Sequence, residues 1–458
     1  MEDSQMIDET EYRVALILTR SRRLLGIRGS SSIELPVISI PLFRRAADQL
    51  TRRIKQQWKI SAVVLDILAA AGSNPPCAVV EVRSDTWDFE IEGFCVAGLG
   101  EISEASLDES QRHSLGTILL DGGATDGAFS QIGWLDEAQR WIQSNVDDHE
   151  VVFNGEIRHL NGCGTFCLVR LGTQSGPAYW IKGVGAPNSH EFAATRFLAE
   201  HCPEHLPPIV AMRTDWNAWA MEDFGRSLNN SDLLDDFKCA AQELATLQKK
   251  LAARSGELLA LPCVDHRIGT LDAKVDEIVE YLDGAMQQQT STKVAPLTSS
   301  RLREIRNGLH DACNALQDLE IPDSLMHGDL SPGSILTHGT LCVFTDWCET
   351  YVGNPFISME QFCVHVRRKS NNTKPWIPAL KNVYGSSWTD RLTADHVRRA
   401  IELVPLVSVL SYLYGRGDWL RSSRRDEPAV LSYARSLARH MDRITAETNP
   451  QEALCPSN

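Results

Sequence analysis

Two aspartates in the C-terminal half of the chain have the spacing that phosphoryl transfer requires. Asp329 lies in the run LMHGDLSPGSIL, residues 325–336, and Asp346 lies in VFTDWCETYVGNPF, residues 343–356. A carboxylate in a tight turn can accept the proton of an attacking hydroxyl. A second carboxylate after a short β-hairpin can hold the magnesium ion that bridges the phosphates. The pattern therefore predicts that Asp329 is the base and Asp346 a metal ligand.

The surrounding residues carry a family resemblance. Ser334 follows Asp329 at the position where the protein-kinase catalytic loop has its metal-binding Asn. The wider pattern is similar to the aminoglycoside phosphotransferase and choline kinase-like family, whose signature is His-Gly-Asp-Leu-x-Pro-x-Asn, then Asp-Trp and Gly-x-Pro. The matching residues are His327, Gly328, Asp329, Leu330, Pro332, Asp346, Trp347, Gly353 and Pro355.

This resemblance covers about residues 132–450. It implies ATP and Mg²⁺ as cofactors and a small-molecule hydroxyl as phosphate acceptor. It also implies that Asp346 and Ser334 bind the metal, that Asp329 is catalytic, and that His327 shapes the catalytic loop. The identity of the acceptor cannot be inferred from these residues.

Three serines depart from the family pattern. Ser331 stands where close relatives often have His, Ser334 replaces the Asn, and Ser358 stands where an Asp is expected after the Gly-x-Pro turn. A serine hydroxyl can ligate magnesium, as in P-loops, but it is shorter than an Asn side chain. A catalytically impaired pseudokinase or nucleotide-binding scaffold is therefore the alternative function. A protein kinase is less favoured because HGD replaces HRD and no Ala-Pro-Glu segment follows.

A lysine and a glutamate upstream are candidates for setting the nucleotide. The segment YWIKGV, residues 179–184, reads as an apolar strand carrying Lys182, whose ammonium group would reach the α- and β-phosphates. Glu191 opens the helical run HEFAATRFLAEH and is the expected partner of Lys182, with Glu200 as the fallback. A lone lysine on a strand is usually a solvated edge residue, so the pair rests mainly on the order of the motifs.

Two other segments are candidates for contacts with ATP. Gly162 and Gly164 in HLNGCGTF fall between strand-like runs, where a hairpin could bring backbone amides near phosphates. An ordinary tight turn explains these glycines equally well. The segment WAMEDFGRSL resembles the family's interlobe hinge, which implies that backbone groups of Met221, Glu222 and Phe224 meet the adenine edge. Its Asp-Phe-Gly triplet precedes the catalytic loop and is therefore not assigned to the metal.

These residues need two lobes to position them. Strand-like runs dominate up to about residue 225, and helical periodicity dominates beyond it. We predict an α+β chain with a bilobal protein-kinase-like fold, preceded by a separate α+β domain, and a nucleotide cleft between the lobes. The predicted parts are an α+β domain at 1–130, a helical connector at 131–150, a small lobe with hinge at 151–225, a helical lobe at 226–450, and a flexible tail at 451–458.

The N-terminal domain offers one weak motif. The segment LTRRIKQQWKI, residues 50–60, falls where a Nudix hydrolase carries its magnesium-binding helix. Arg52 keeps the arginine of that motif, but non-acidic residues replace its glutamates, and neither an amide nor an arginine holds magnesium as a carboxylate does. The domain is thus either a degenerate Nudix-like domain or another α+β domain with an amphipathic helix.

Composition excludes several classes of function. The 458 residues include 45 Lys and Arg against 60 Asp and Glu, giving a formal net charge of −15, so an overall basic footprint for nucleic acid is absent. The longest apolar stretch, near residues 403–414, is broken by Pro405, and no membrane or export segment is predicted. The 12 cysteines are scattered, which favours reduced thiols and a cytoplasmic location. The oligomeric state is left open.

Overall fold

The computed structural model describes residues 9–29, 32–42, 44–70, 74–83, 93–120, 127–146, 151–415 and 424–448. The chain forms two compact units. The first comprises Met1–Phe192 and Pro208–Asp223, and the second comprises Ala193–Pro207 and Phe224–Asn458. The tail predicted at 451–458 lies outside the described residues.

The first unit begins with a seven-stranded mixed sheet and a helix. The strand order is β3-β2-β1-β6-β5, with β4 also paired to β1 and β7 to β2. Strands β1 and β6 are parallel and the other pairs are antiparallel. The elements are β1 Glu9–Leu18, β2 Leu24–Arg28, β3 Ile33–Glu34, β4 Val37–Pro41, helix α1 Ala46–Trp58, β5 Ser61–Leu68, β6 Cys77–Arg83 and β7 Phe94–Ala97.

Both faces of this sheet are buried, which explains the long apolar runs in its strands. In β1, Val14 and Leu16 pack in one apolar cluster with residues of α1. Ala15 and Ile17 belong to a second cluster on the other face. Because successive strand residues point to opposite faces, a strand covered on both sides needs apolar residues at every position.

A second, five-stranded antiparallel sheet follows in the same unit. Its strand order is β11-β12-β10-β9-β8. Two helices precede it, α2 Glu109–Leu119 and α3 Trp134–Gln143. The strands are β8 Phe153–Cys163, β9 Phe166–Thr173, β10 Tyr179–Gly183, β11 Ile209–Arg213 and β12 Ala218–Glu222.

The two sheets of the first unit share one apolar cluster. It contains Ile17 and Val79 of the first sheet, Phe129 and Trp134 of the segment that follows, and Ile181 of the second sheet. The rings of Phe129 and Trp134 meet edge to face, with centroids 5.2 Å apart. The sequence predicts a separate domain at residues 1–130. In the structure, buried side chains of the seven-stranded sheet and of the five-stranded sheet belong to this one cluster.

The second unit is mainly helical, in line with the periodicity after residue 225. Helix α4 begins in the first unit and ends in the second. No helix among the described residues is long and apolar enough to cross a membrane. The helices are α4 His190–His201, α5 Leu234–Ala252, α6 Ser255–Leu258, α7 Ile268–Asp272, α8 Val275–Gln287, α9 Ser299–Asp318, α10 Phe356–Lys369, α11 Ile377–Ser386, α12 Ala394–Tyr414 and α13 Pro428–Thr448.

Two three-stranded sheets in the second unit carry the predicted catalytic segments. One has the order β13-β16-β17 and the other β14-β18-β15. Strands β16 and β17 form the hairpin expected between the two aspartates, and its turn contains Gly339 at a φ of +60°. The strands are β13 Arg226–Ser227, β14 Val264–His266, β15 Ser324–His327, β16 Ile335–His338, β17 Leu341–Phe344 and β18 Thr350–Gly353.

A buried glutamine anchors the strand that leads into the predicted catalytic loop. Gln248 of α5 is 1% exposed, and its amide N–H groups donate to the carbonyl oxygens of Leu325 and Pro355 at 3.4 and 3.2 Å. Its amide oxygen accepts from the hydroxyl of Tyr384 at 2.7 Å. Because buried polar groups need partners, these bonds fix β15 and the start of α10 against α5.

Candidate functional site

His327 links the predicted catalytic loop to the segment that carries Asp346. The residue ends β15 and is 1% exposed. Its Nε2–H donates to the carbonyl oxygen of Thr345 at 3.0 Å, and its ring centroid lies 4.9 Å from that of Trp347. Thr345 and Trp347 flank Asp346 in the chain. These contacts hold the end of β15 against the segment that carries Asp346.

Asp329 projects from a tight turn at the end of β15. Gly328 precedes it and donates its N–H to the carbonyl oxygen of Glu349 at 2.7 Å. A Cβ atom at Gly328 would lie 2.2 Å from the ring of Tyr351, so only glycine permits this approach. The Asp329 side chain is 55% exposed. The carboxylate is therefore accessible to a ligand from solvent.

A histidine that the sequence analysis did not identify contacts Asp329. Nε2 of His365, on α10, lies 2.8 Å from Oδ1 of Asp329. A recognisable signal was available, because His365 follows Ser358 by seven residues in one helix and such residues share a helix face. Ser358 Oγ accepts the backbone N–H of His327 at 2.9 Å, so this face of α10 is directed at the predicted catalytic loop.

Asp346 has an unusual backbone conformation. Its φ is +65° and its ψ is +57°, in the left-handed region, and it directly precedes the short helical turn Trp347–Glu349. Aspartate is one of the few residues other than glycine that adopts this region, and such conformations concentrate at functional positions. The residue is exposed at the end of the hairpin. The conformation is compatible with a role for the carboxylate in ligand binding.

Ser334 lies beside the Asp346 segment. Its carbonyl oxygen accepts the Thr345 N–H at 2.8 Å and the Thr345 hydroxyl at 3.2 Å. Its own hydroxyl lies 3.2 Å from that of Ser331. Two of the three serine departures are thus in contact with each other at the base of the hairpin.

The oxygen atoms of this segment fit a magnesium ion chemically. Carboxylate and hydroxyl oxygens are ligands that Mg²⁺ accepts, and protein magnesium sites commonly use one or two side chains plus phosphates and water. Among the residues that the structure describes, no group of three or more His, Cys, Asp or Glu side chains could hold a metal ion. A magnesium ion held by Asp346 and Ser334 would therefore take its remaining ligands from bound phosphate and water.

Lys182 and Glu191 form a close ion pair in the first unit. Nζ of Lys182 lies 2.5 Å from Oε1 of Glu191, and their side chains are 7% and 0% exposed. The ammonium nitrogen also lies 5.8 Å from the ring centroid of Trp219 on the neighbouring strand. Glu200, the fallback partner, is exposed near the other end of α4. Burial on this scale shows that Lys182 is not a solvated edge residue.

The strand alternation explains why Lys182 faces away from the shared core. On β10, Ile181 and Gly183 point to the face that the cluster with Phe129 covers, and a Cβ at Gly183 would lie 2.0 Å from the Phe129 ring. Lys182, between them, points to the opposite face. In the register of the sheet it lies between Leu168 and Trp219.

The glycine hairpin is packed against the chain's own residues. The turn between β8 and β9 contains Gly164, whose carbonyl oxygen accepts the Phe129 N–H at 3.0 Å. A Cβ at Gly162 would lie 2.5 Å from the His159 ring and 2.9 Å from the Val64 carbonyl oxygen. Close packing within the first unit therefore accounts for both glycines, and phosphate binding by this hairpin stays a prediction.

The segment predicted as a hinge lies at a division of the chain. Met221 and Glu222 end β12, the first unit ends at Asp223, and the second resumes at Phe224. The Asp223 carboxylate accepts from Arg170 Nε at 2.7 Å and from Trp180 Nε1 at 2.9 Å. These two bonds give the aspartate of the Asp-Phe-Gly triplet a structural role.

Comparisons with known proteins find similarity in structure alone. No protein-family model matches the chain, and no curated protein matches it. Solved structures similar to it include small-molecule phosphotransferases. A macrolide 2′-phosphotransferase from Brachybacterium faecium is 15% identical, with a TM-score of 0.43, and the match covers 66% of this chain and 97% of the other.

Two further structures are similar to a comparable extent. The choline kinase from Cryptosporidium parvum Iowa II is 13% identical, with 70% of this chain and 98% of the other covered and a TM-score of 0.46. A spectinomycin phosphotransferase, solved with ADP and spectinomycin, is 12% identical, with 68% and 98% covered and a TM-score of 0.41. Identities and TM-scores this low assign neither a family nor an activity to the chain.

Proposed function

We propose that this protein is an ATP- and Mg²⁺-dependent phosphotransferase that acts on a hydroxyl group of a small molecule. The observation that carries this function is the hydrogen bond from His327 to the Thr345 carbonyl oxygen, which ties the Asp329 turn to the segment of Asp346. One buried side chain thereby fixes two carboxylate-bearing turns with the order and spacing that phosphoryl transfer uses. The buried Lys182–Glu191 pair supports the same function independently.

In the proposed reaction, Asp329 accepts the proton of the acceptor hydroxyl. The hydroxyl oxygen forms a bond to the γ-phosphorus of ATP while the bond from that phosphorus to the β-γ bridging oxygen breaks, and ADP leaves. Lys182 contributes positive charge at the α- and β-phosphates, and Glu191 fixes its ammonium group. Asp346 and Ser334 would hold Mg²⁺, which supplies neutralisation of phosphate charge when bound.

Two of the serine departures, Ser358 and Ser334, differ in what they imply for catalytic competence. Ser358 accepts the backbone N–H of His327 at 2.9 Å, which is a bond that a carboxylate at this position could also accept. The catalytic loop is therefore anchored despite the substitution. Ser334 is a proposed ligand of the metal, and its side chain is shorter than that of the expected Asn. The alternative, a nucleotide-binding scaffold with impaired transfer, rests on Ser334.

Transfer and binding can be measured separately. We expect ATP with Mg²⁺ to raise the melting temperature and ADP to be released in the presence of a hydroxyl acceptor. Asp329→Asn should keep the thermal shift and lose most ADP release, because an amide cannot accept the proton at this step. Unchanged turnover in Asp329→Asn would overturn the assignment. A thermal shift in the wild type without transfer to any acceptor would favour the scaffold.

A further inference from the structure

A pocket in the second unit opens beside the carboxylate of Asp329. Helices α10, α12 and α13 line it around a cavity of about 80 Å³ that opens to solvent. We propose that this pocket binds an acceptor that carries an anionic group, such as a carboxylate or phosphate, on an apolar body. That the acceptor also carries the hydroxyl that reacts with ATP rests on the proposed function.

The buried carboxylate of the pocket is already paired with two cations. Glu360 is buried, and its carboxylate contacts Arg367 Nη1 at 2.9 Å and Lys381 Nζ at 2.6 Å. Asp329 contacts His365 at 2.8 Å. Among the described lining residues these are the two carboxylates. A substrate with several ammonium groups needs carboxylates that no cation of the protein neutralises. The buried carboxylate of this lining is already neutralised by Arg367 and Lys381.

A guanidinium group supplies positive charge to the same pocket. Arg368 lines it from α10 and is exposed. Within the described parts of the chain, no ion pair is formed by Arg368. Its charge also acts on another lining residue. Burial lowers the pKa of His440, and nearby arginines, Arg368 among them, lower this pKa further. An arginine without a carboxylate partner is suited to bidentate binding of a carboxylate or phosphate.

The remaining wall of the pocket is aromatic and apolar. The rings of Tyr412 and Tyr433 lie edge to face with centroids 6.1 Å apart, and their hydroxyl oxygens are 3.3 Å apart. Val409 and Leu437 add aliphatic surface. Such a wall buries the body of an organic molecule while the two hydroxyls offer hydrogen bonds. The acceptor class is therefore a hydroxylated organic acid or phosphate ester.

The charge preference can be tested without transfer. Calorimetric titration compares 3-phenyllactate with phenylalaninol, which are similar in size and each carry one hydroxyl but differ in charge. We expect 3-phenyllactate to bind about tenfold more tightly, the ratio that one charge-assisted contact of about 1.4 kcal/mol gives. Arg368→Gln should remove this preference, and Arg368→Lys should keep part of it. The control Arg303→Gln, which removes an exposed charge on α9, should leave it unchanged.

Several outcomes would overturn the inference. The inference is wrong if the two probes bind equally, if phenylalaninol binds more tightly, or if neither binds. It is also wrong if Arg368→Gln leaves the preference intact. A second measurement adds ATP and Mg²⁺ to the 3-phenyllactate complex and records ADP release. A preference for the anion without ADP release from this probe or any other hydroxyl acceptor would support the pocket and count against the phosphotransferase function. The two failures are thus distinguishable.

Discussion

Nε2 of His365 lies 2.8 Å from Oδ1 of Asp329, across 36 positions of the sequence. The contact involves one carboxylate oxygen, and the Asp329 side chain remains 55% exposed. A base that is held in one orientation loses less freedom when the substrate hydroxyl arrives. His365 is therefore expected to position Asp329 rather than to exchange protons with the substrate.

The first prediction concerns this pair. His365→Ala should lower kcat about 10- to 100-fold, the range that corresponds to loss of one hydrogen bond to a charged group, with the KM for ATP unchanged. His365→Gln, which can still donate a proton to the carboxylate, should recover part of kcat. His396→Ala, at a half-buried position in α12, is the matched control. A fall in ATP affinity without a fall in kcat would contradict the positioning role.

The second prediction concerns the buried pair of Lys182 and Glu191. Lys182→Met leaves a buried carboxylate without its lysine, and we expect the free energy of unfolding to fall by about 3–5 kcal/mol. The double variant Lys182→Met/Glu191→Leu should recover most of that stability but none of the transfer activity. Urea denaturation and ADP release measure the two effects. Activity in the stable double variant would show that Lys182 does not serve the nucleotide.

The third prediction concerns the metal. In Ser334→Asn, a longer side chain brings an amide oxygen toward a metal ion held by Asp346, and the Mg²⁺ concentration for half-maximal activity should fall several-fold. Titration of ADP release with Mg²⁺ at fixed ATP measures this. The control is Ser331→Asn, at the neighbouring hydroxyl 3.2 Å away. An equal response in both variants would show that Ser334 has no particular relation to the metal.

The fourth prediction concerns the core that the two sheets of the first unit share. Phe129 is 1% exposed and covers Gly183. Phe129→Ala should lower the free energy of unfolding by about 3–5 kcal/mol, whereas Phe129→Leu should cost less because it leaves a smaller cavity. Hydrogen exchange should show loss of protection in β5 and β10 together. Loss confined to one sheet would contradict a single cooperative core.

The fifth prediction concerns acid stability. Burial lowers the pKa of His159 to about 4 and that of His266 to about 4. Both side chains are thus neutral when folded and take up protons on unfolding below about pH 6.5. The unfolded state then binds more protons, so the free energy of unfolding falls as the pH drops from about 6.5 to about 4, by about 3 kcal/mol per histidine.

Denaturation at pH 7.5 and pH 5 tests this dependence. His159→Phe removes a hydrogen-bond acceptor, because the Val64 N–H donates to Nδ1 of His159 at 3.2 Å. The variant should therefore be less stable than the wild type at pH 7.5. It should nevertheless lose less stability between the two pH values than the wild type. His113→Phe, at an exposed position, should keep the wild-type dependence. The same dependence in all three proteins would assign the effect to other groups.

Local patterns predicted the elements that carry the candidate site. The apolar run with Lys182 is β10, the run HEFAATRFLAEH is α4, and the chain between the two aspartates is a hairpin. Alternation, helical periodicity and turn residues are properties of short segments, so a sequence contains them directly. Element ends are less well defined by such patterns: the helix expected at residues 50–60 spans Ala46–Trp58.

The amino-acid sequence by itself determined which carboxylates, hydroxyls and lysine are available for chemistry, and in what order they lie along the chain. Only the tertiary structure decided that His365 contacts Asp329, that Phe129 covers Gly183, and that an arginine and two tyrosines line the same pocket. These contacts join residues from separate helices and strands. They follow from how whole elements pack, which depends on all their side chains together and leaves no signature in any one segment.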